Sequence, residues 1–455
     1  MNKENFFNNL DNIFDKKDIK NDSLSKEKYR NDWSTQYQSD PIAIVFPREV
    51  EQVVNTIKLC NEYSYPLIGS GGRTGLSGGA SALSNELIIS FDKMNKILDF
   101  DEATQTVLCQ PGLITQNLQS FAEENNLFYP VDFSSSGSSQ IGGNIATNAG
   151  GIKVIKYGLT SKYVVGLDVV TGNGYEFLLD TKLVKDATGP DLKNFFIGSE
   201  GIFALTTSCR MQLLKKPEET NVVLIGFNDI SFLDQMTQML IKLDIEAIEF
   251  FTRNSLNQVN KEFDHVDISN LNNNYYLIVE LCHQFNFNST LEKIYANKFA
   301  QEIIVSSNNS QKKSIWDYRL LISESISRKN PIKFDVAVPV KNVSKIINSL
   351  ESFFSNNNLY HLILFGHLGD GNLHINVLNN SENIQLKDID ALEKDIFSMV
   401  LKLDGTISAE HGIGSKKVKA FMQQADKKKV DSIRNLKNHF DTNLILNPGK
   451  LIELR

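Results

Sequence analysis

The residues best suited to chemistry fall in two short stretches, FGHLGDGNLHINV (Phe365 to Val377) and AEHGIG (Ala409 to Gly414). Together they hold three of the chain's seven histidines, His367, His374 and His411, and the acid Glu410 that adjoins the last. Neutral imidazoles plus one carboxylate are a ligand set for Zn²⁺ and related divalent ions, with a position left open for substrate in catalytic sites. Asp370-Gly371-Asn372 is turn chemistry between two apolar runs, so the first stretch is expected to form a hairpin. A separation of seven would put His367 and His374 on opposite faces of one straight strand. Folding the strand back at the turn lets both imidazoles converge. The same local sequence also fits two hydrogen-bonded hairpin histidines beside an unrelated acid, and both readings stand at this level.

Two other tracts are unusual in their backbone rather than their side chains. GSGGRTGLSGG carries six glycines between residues 69 and 79. That many glycines cost conformational entropy, and the usual compensation is close approach of backbone to something. A loop of available N–H groups suits a pyrophosphate. It is not a P-loop, because no lysine lies in it, nor a dinucleotide fingerprint, because Thr74 stands where the third glycine is required and no amphipathic helix follows. A flexible loop without ligand is the alternative. SSSGSSQIGGNIATNAGG, residues 134 to 151, has almost no large side chains. It reads as a wall against a flat ligand.

Ordinary elements must position these stretches. DPIAIVFP is strand-like, and Val50, Val53, Val54, Ile57 and Cys60 mark one face of a helix. Strands are expected at 86–92 and 106–110, a helix at 115–125, and a hairpin over 164–179 through Gly172-Asn173-Gly174. A first domain closes near residue 215. Beyond it the spacing predicts a helix around Phe232 to Leu243, strands at IEAIEFF, NYYLIVELC and KFDVAVP, and helices at 289–302, 312–328 and 341–355. Irregular alternation with long strands indicates an α+β domain whose sheet is covered on one face.

Composition is that of a globular chain: 455 residues, 41% hydrophobic, 22% charged, net charge -7. The mildly acidic balance argues against nucleic acid as a general partner. Cys60, Cys109, Cys209 and Cys282 are far apart in the sequence, form no CxxC pair and read as free thiols in a reducing compartment. Cys282 next to His283 is a poor nucleophile pair, since strand neighbours point to opposite faces. The N-terminus lacks a basic segment followed by an apolar run, so no signal peptide is expected. No apolar run approaches about 18 residues, so no transmembrane span is expected. A cytoplasmic location, with peripheral membrane contact at most, follows from these features.

The order GSGGRTGLSGG, IGGNIATNAGG, KYGLTSKYVVGLDVVTGNG, GSEG, DVAVP, FGHLGDGNLH, SAEHGIG and NPGKL resembles the flavin-dependent D-2-hydroxy acid dehydrogenases. These include D-lactate and D-2-hydroxyglutarate dehydrogenases and the D subunit of glycolate oxidase. The match spans residues 35 to 455. It implies an α+β protein: an FAD-binding domain of the vanillyl-alcohol oxidase type with two α+β subdomains (1–216), an α+β antiparallel-sheet cap that binds substrate (217–408), and a helical C-terminal segment (409–455). It further implies that FAD is cradled by Gly69, Ser70, Gly71, Gly72, Arg73, Thr74, Gly75 and Gly78 of the first loop. Asp132, Ser138, Gly142, Gly143, Asn148, Ala149, Gly150 and Gly151 would flank it, with Glu200, Gly201, Ile202 and Asn447 adding contacts. The first loop has no histidine, so FAD is expected to be noncovalent. By the same resemblance, His367, His374 and Glu410 hold a divalent metal, Zn or Mn, and His411 is the base. Arg319, Ser323, Lys333 and Asn376 would bind the substrate.

The implied reaction is oxidation of a D-2-hydroxy acid to the 2-oxo acid, with a second acceptor such as an electron-transfer flavoprotein, a quinone or a cytochrome. A homodimer is compatible with it. Two departures from the family pattern stand out: Ile202-Phe203-Ala204 in GSEGIFALTT, where Ala204 replaces glycine near the cofactor, and Thr442, where proline is common. Competing readings are another flavoenzyme of the same fold, of the alkylglycerone-phosphate synthase kind, and a flavin-independent metallohydrolase. The latter leaves both glycine tracts unexplained.

Overall fold

The computed structural model describes residues 3–34, 37–282, 287–355, 360–379 and 386–453. His283, and with it the Cys282-His283 pair, lies outside these. The chain divides into two units. The first comprises residues 1–150, 159–216 and 410–455, and the second 151–158 and 217–409.

The first unit contains two main sheets. In the smaller, Ala43–Val45, Leu87–Ser90 and Leu67–Ser70 run parallel, with Ile19–Lys20 added antiparallel at one edge. The helix Val50–Tyr63 buries Val53, Val54, Ile57 and Cys60, the face expected from their spacing, and packs with Phe6, Leu10 and the strand residues into one core. The larger sheet is antiparallel: Ile97–Asp101, Thr106–Cys109, Ala204–Gln212, Val164–Thr171 and Glu176–Leu178, in that spatial order. The 164–179 hairpin forms, with Gly174 at φ +77° in its turn, a conformation glycine adopts without strain.

The second unit is a seven-stranded antiparallel sheet. Its spatial order is Glu302–Val305, Thr220–Phe227, Tyr275–Cys282, Ile245–Thr252, Tyr360–His367, Asn372–Asn379, Ile332–Ala337. On one face Phe251, Tyr276, Ile278, Ile363 and Phe365 pack against Leu256 and Val259 of the helix Arg253–Glu262 and against Ile315, Ile322 and Ile326. On the other, Phe334 meets Phe397 of the helix Leu386–Leu401, and the Tyr275 hydroxyl donates to Glu351 on the helix Val343–Ser355. The sheet is therefore covered on both faces, not one. The strands are apolar at nearly every position, not only at alternate ones, because both sides are buried.

Two other expectations need correction. The helix foreseen at 289–302 is Phe287–Ala296, and Glu302–Val305 leaves it to become the edge strand. The helix foreseen at 312–328 is two, Asn309–Leu320 and Ile322–Ser327, broken at Leu321. Among the described residues no helix is long and apolar enough to cross a membrane.

Candidate functional site

In the second unit the chemistry is arranged by strand register. The hairpin forms as its turn residues suggest, with His367 opposite Asn372 and Phe365 opposite His374. Across the sheet, Glu249 lies directly opposite His367, and Asp335 directly opposite His374. Side chains of directly paired residues share a face. The sheet thus presents a row, Glu249, His367, His374, Asp335, drawn from four neighbouring strands.

The two imidazoles stand nearly perpendicular, at 87°, with their Nε2 atoms 3.3 Å apart. His367 Nδ1 is 2.7 Å from Glu249 Oε1. His374 Nδ1 is 3.8 Å from Asp335 Oδ1. Both acids are essentially inaccessible, and buried carboxylates persist only where partners compensate their desolvation. Asp335 also accepts from Asn372 Nδ2 at 2.8 Å and from the Ala409 N–H at 3.2 Å. Glu410 and His411 are the next two residues of the chain, and they belong to the first unit.

Of the residues expected to grip a substrate carboxylate, Arg319, Lys333 and Asn376 lie beside this row. Arg319, buried on the helix Asn309–Leu320, places Nε 2.7 Å from Glu249 Oε2 and its guanidinium carbon 4.5 Å above the Phe365 ring. Lys333 lies directly opposite Asn376 on the same face. It has no ion pair among the described residues, and desolvation pulls its ammonium below the ordinary lysine value. Asn376 is buried, and its Nδ2 lies 3.4 Å from the His374 carbonyl. Ser323 sits half-buried one residue into the following helix.

Glu249 and Asp335 were not singled out from the sequence. A signal did exist: each is an acid inside an otherwise apolar strand, IEAIEFF and KFDVAVP, and such acids are rarely buried without a partner. Glu246 shows the ambiguity of that signal, since it is equally buried but is held by Lys156 at 2.6 Å and Lys153 at 3.6 Å in an ion-pair cluster.

In the first unit the two glycine tracts lie against each other. A methyl group on Gly72 would collide with the Ser138 carbonyl, and one on Gly71 would sit 3.7 Å from the Gly143 Cα. At Gly78 the close neighbours are Ser415 and Tyr37, and at Gly142 Pro111. The close backbone approach inferred from glycine content is therefore, at these positions, approach to the protein's own chain. Two features remain that suit a ligand. The side-chain direction of Gly143 meets nothing within 4 Å, and the N–H groups of Gly72, Arg73, Thr74 and Gly75 donate to no protein acceptor among the described residues. Consecutive unsatisfied N–H groups beside a small-residue wall are the donor chemistry that a pyrophosphate and a flat ring require, so the residues fit FAD.

The remaining positions tie these loops together. Ser70 is buried at the end of its strand, and the Arg73 guanidinium folds back onto the Gly71 carbonyl at 2.9 Å. Asp132 and Ser138 are exposed, and Asn148 caps the helix Ile141–Thr147 at φ +50° with Ala149 and Gly150 following. Gly151 falls in the second unit. Asn447 accepts from the Gly69 N–H at 2.9 Å and donates to the Glu200 carbonyl at 2.8 Å. The Glu200 carboxylate takes the N–H groups of Ile413 and Gly414, at 2.7 and 2.6 Å, so it holds the loop that carries His411. Burial pushes its carboxyl up, against the pull of those two N–H groups.

The departures from the family pattern also find their reasons. Ile202 and Phe203 are buried, Phe203 packing against Phe440, and the Ile202 carbonyl receives the Lys437 ammonium at 2.7 Å. Ala204 opens a strand and pairs with Thr171, so its methyl group is accommodated. Thr442 donates its N–H to Asn173 Oδ1 at 2.9 Å, a bond that a proline could not make.

Comparison with known proteins bears on the fold and the family. Residues 41–178 match the FAD binding domain model, and residues 216–451 match the model for FAD linked oxidases, C-terminal domain. The chain is 37% identical over 449 residues to D-2-hydroxyglutarate dehydrogenase of Stutzerimonas stutzeri, covering 94% of this chain and 95% of the relative. It is 31% identical to glycolate oxidase subunit GlcD of Bacillus subtilis, covering 93% and 91%. The fold is of the vanillyl-alcohol oxidase type; 4-ethylphenol oxidase from Gulosibacter chungangensis superposes with TM-score 0.79 at 15% identity, covering 99% of this chain and 97% of that one. The loops fit FAD, the paired domain models span both units and the relatives match end to end: the chain belongs to the FAD-linked oxidases, within the FAD-binding D-2-hydroxy acid dehydrogenase family.

Proposed function

We propose that this enzyme oxidises D-2-hydroxyglutarate, or a closely similar D-2-hydroxy acid, with noncovalent FAD and a divalent cation, Zn²⁺ or Mn²⁺. The observation that carries the reading is the row Glu249, His367, His374, Asp335 with Arg319 and Lys333 on its flanks. Two imidazole Nε2 atoms 3.3 Å apart, each ring with a carboxylate on its Nδ1 side, suit a shared cation. His367 and His374 would be ligands and Glu410 the third. FAD, when bound, supplies the two-electron acceptor, and the cation supplies Lewis acidity at the substrate hydroxyl.

The chain's own residues account for the rest. Arg319 and Lys333 would bind carboxylate groups and so fix which face of the Cα–H is presented. Two cations suit a substrate with two carboxylates, which favours the hydroxyglutarate class over lactate. Ser323 and Asn376 would add hydrogen bonds. His411, on the loop held by Glu200, would take the hydroxyl proton; an imidazole is suited to this near neutral pH. The four buried free cysteines fit a reducing compartment, the cytoplasm in this reading. The electrons would pass to a second acceptor, an electron-transfer flavoprotein, quinone or cytochrome.

The test is anaerobic flavin bleaching by D- and L-2-hydroxy acids, with and without added Zn²⁺ or Mn²⁺. Fast bleaching by D-2-hydroxyglutarate, lost on chelation and restored by the metal, is the expected result. Bleaching that ignores chelation would remove the metal from the proposal, and bleaching by L-acids alone would overturn it.

A further inference from the structure

We infer that Glu249 is the positioning residue that couples the cation site to the substrate-carboxylate arm, an inference that rests on the metal-dependent reading above. The carboxylate is completely buried in a strand whose neighbours Ile248, Phe250 and Phe251 are all buried and apolar. It spends one oxygen on each half of the site: Oε1 lies 2.7 Å from His367 Nδ1, and Oε2 lies 2.7 Å from Arg319 Nε.

The first contact selects a tautomer. An ionised carboxylate oxygen at that distance accepts, so the proton sits on His367 Nδ1, and in the neutral imidazole Nε2 is then the lone-pair nitrogen. That nitrogen is the one directed toward His374 Nε2, 3.3 Å away. Glu249 therefore decides which atom of His367 is offered to a cation and raises its basicity. The second contact sets where Arg319 stands. It is a close ion pair without an aligned N–H···O hydrogen bond, so it anchors the guanidinium by charge. Phe365 supports the guanidinium from below at 4.5 Å, and Phe365 is itself the strand partner of His374. A single side chain thus holds the distance between the groups that would bind the hydroxyl and carboxylate ends of one substrate. A buried ion pair retained only for stability would leave the chemistry of the imidazole indifferent to its loss.

The experiment uses the FAD-loaded full chain and its Glu249→Gln and Glu249→Asp variants. Zn²⁺ affinity is measured by competition with a chromophoric chelator, the His367 tautomer by ¹⁵N shifts of the imidazole, and KM for D-2-hydroxyglutarate by flavin bleaching. Glu249→Gln is expected to weaken Zn²⁺ binding by about 10- to 100-fold, to mix the His367 tautomers and to raise KM, with flavin content unchanged. Glu249→Asp, which keeps the charge but is one methylene shorter, is expected to fall between; it also serves if the Gln variant does not fold. Variants that bind Zn²⁺ as tightly as the wild type, with His367 still protonated at Nδ1, would overturn the inference while leaving the functional reading intact. Wild-type protein that binds neither Zn²⁺ nor Mn²⁺ would overturn the functional reading, and this inference with it.

Discussion

In the first unit the functional stretches are loops held by other loops. The 69–79 loop lies against the 134–151 tract, Asn447 ties it to residue 200, and Glu200 in turn holds the loop of His411. In the second unit the functional side chains stand on neighbouring strands and meet because the ladder puts them opposite one another. In the proposed reading the flavin unit would use its backbone as the chemical surface, which demands small residues in contiguous runs. The sheet unit would use side chains, which demand only the right residue at one position in each of four strands. The loss of one side chain should therefore be severe in the second unit and mild in the first, where loss of backbone geometry should matter instead.

His374→Ala tests this most strongly. Turnover is expected to fall by roughly 10³-fold or more while bound FAD is unchanged, as read by stopped-flow bleaching and the flavin spectrum; parallel loss of FAD would break the distinction. A next effect comes from Lys450, whose buried ammonium donates to the Gly78 and Ser81 carbonyls and so anchors the end of the glycine loop. Burial lowers its pKa from 10.5 to about 8. Between these values the unfolded chain holds a proton that the folded chain has released, so stability rises with pH, by up to about 3 kcal/mol. Thermal melts across that range should show the rise in the wild type and not in Lys450→Met. Gly72→Ala should cost about 1–3 kcal/mol through overpacking against the Ser138 backbone. It should also lower the flavin-to-protein ratio; a fully loaded variant would show that the tracts tolerate separation.

The smallest effect is expected at Glu200. Its raised pKa means that the folded chain keeps a proton longer than the unfolded one, so this group's contribution falls as pH rises above the ordinary glutamate value. Glu200→Gln should flatten that slope in a melt-versus-pH series and slow turnover modestly through a looser His411 loop. A steeper slope in the variant would contradict the assignment.

How far each region could be read from sequence follows the same division. The glycine tracts and the His hairpin are local: their residues lie within a few positions of each other, and turn chemistry at Asp370-Gly371-Asn372 suffices to fold His374 back toward His367. The helix Val50–Tyr63 was equally legible, because its apolar spacing is the burial pattern itself. Glu249 was not legible. It lies 118 residues from His367 in sequence, and nothing in IEAIEFF says which of its two acids, Glu246 or Glu249, will face the histidines. The sheet covered on both faces was missed for a related reason: a strand apolar at every position carries no alternation to count.

The sequence by itself determined most of the local elements, the two glycine tracts and which histidines are candidate metal ligands, because short-range sterics and composition decide those. Only the tertiary structure decided that Glu249 and Asp335 would flank the histidines, and that most of the glycines serve contacts within the protein. Strand register and loop packing are set by the burial of side chains far apart in the chain, and that information is present in no single stretch of it.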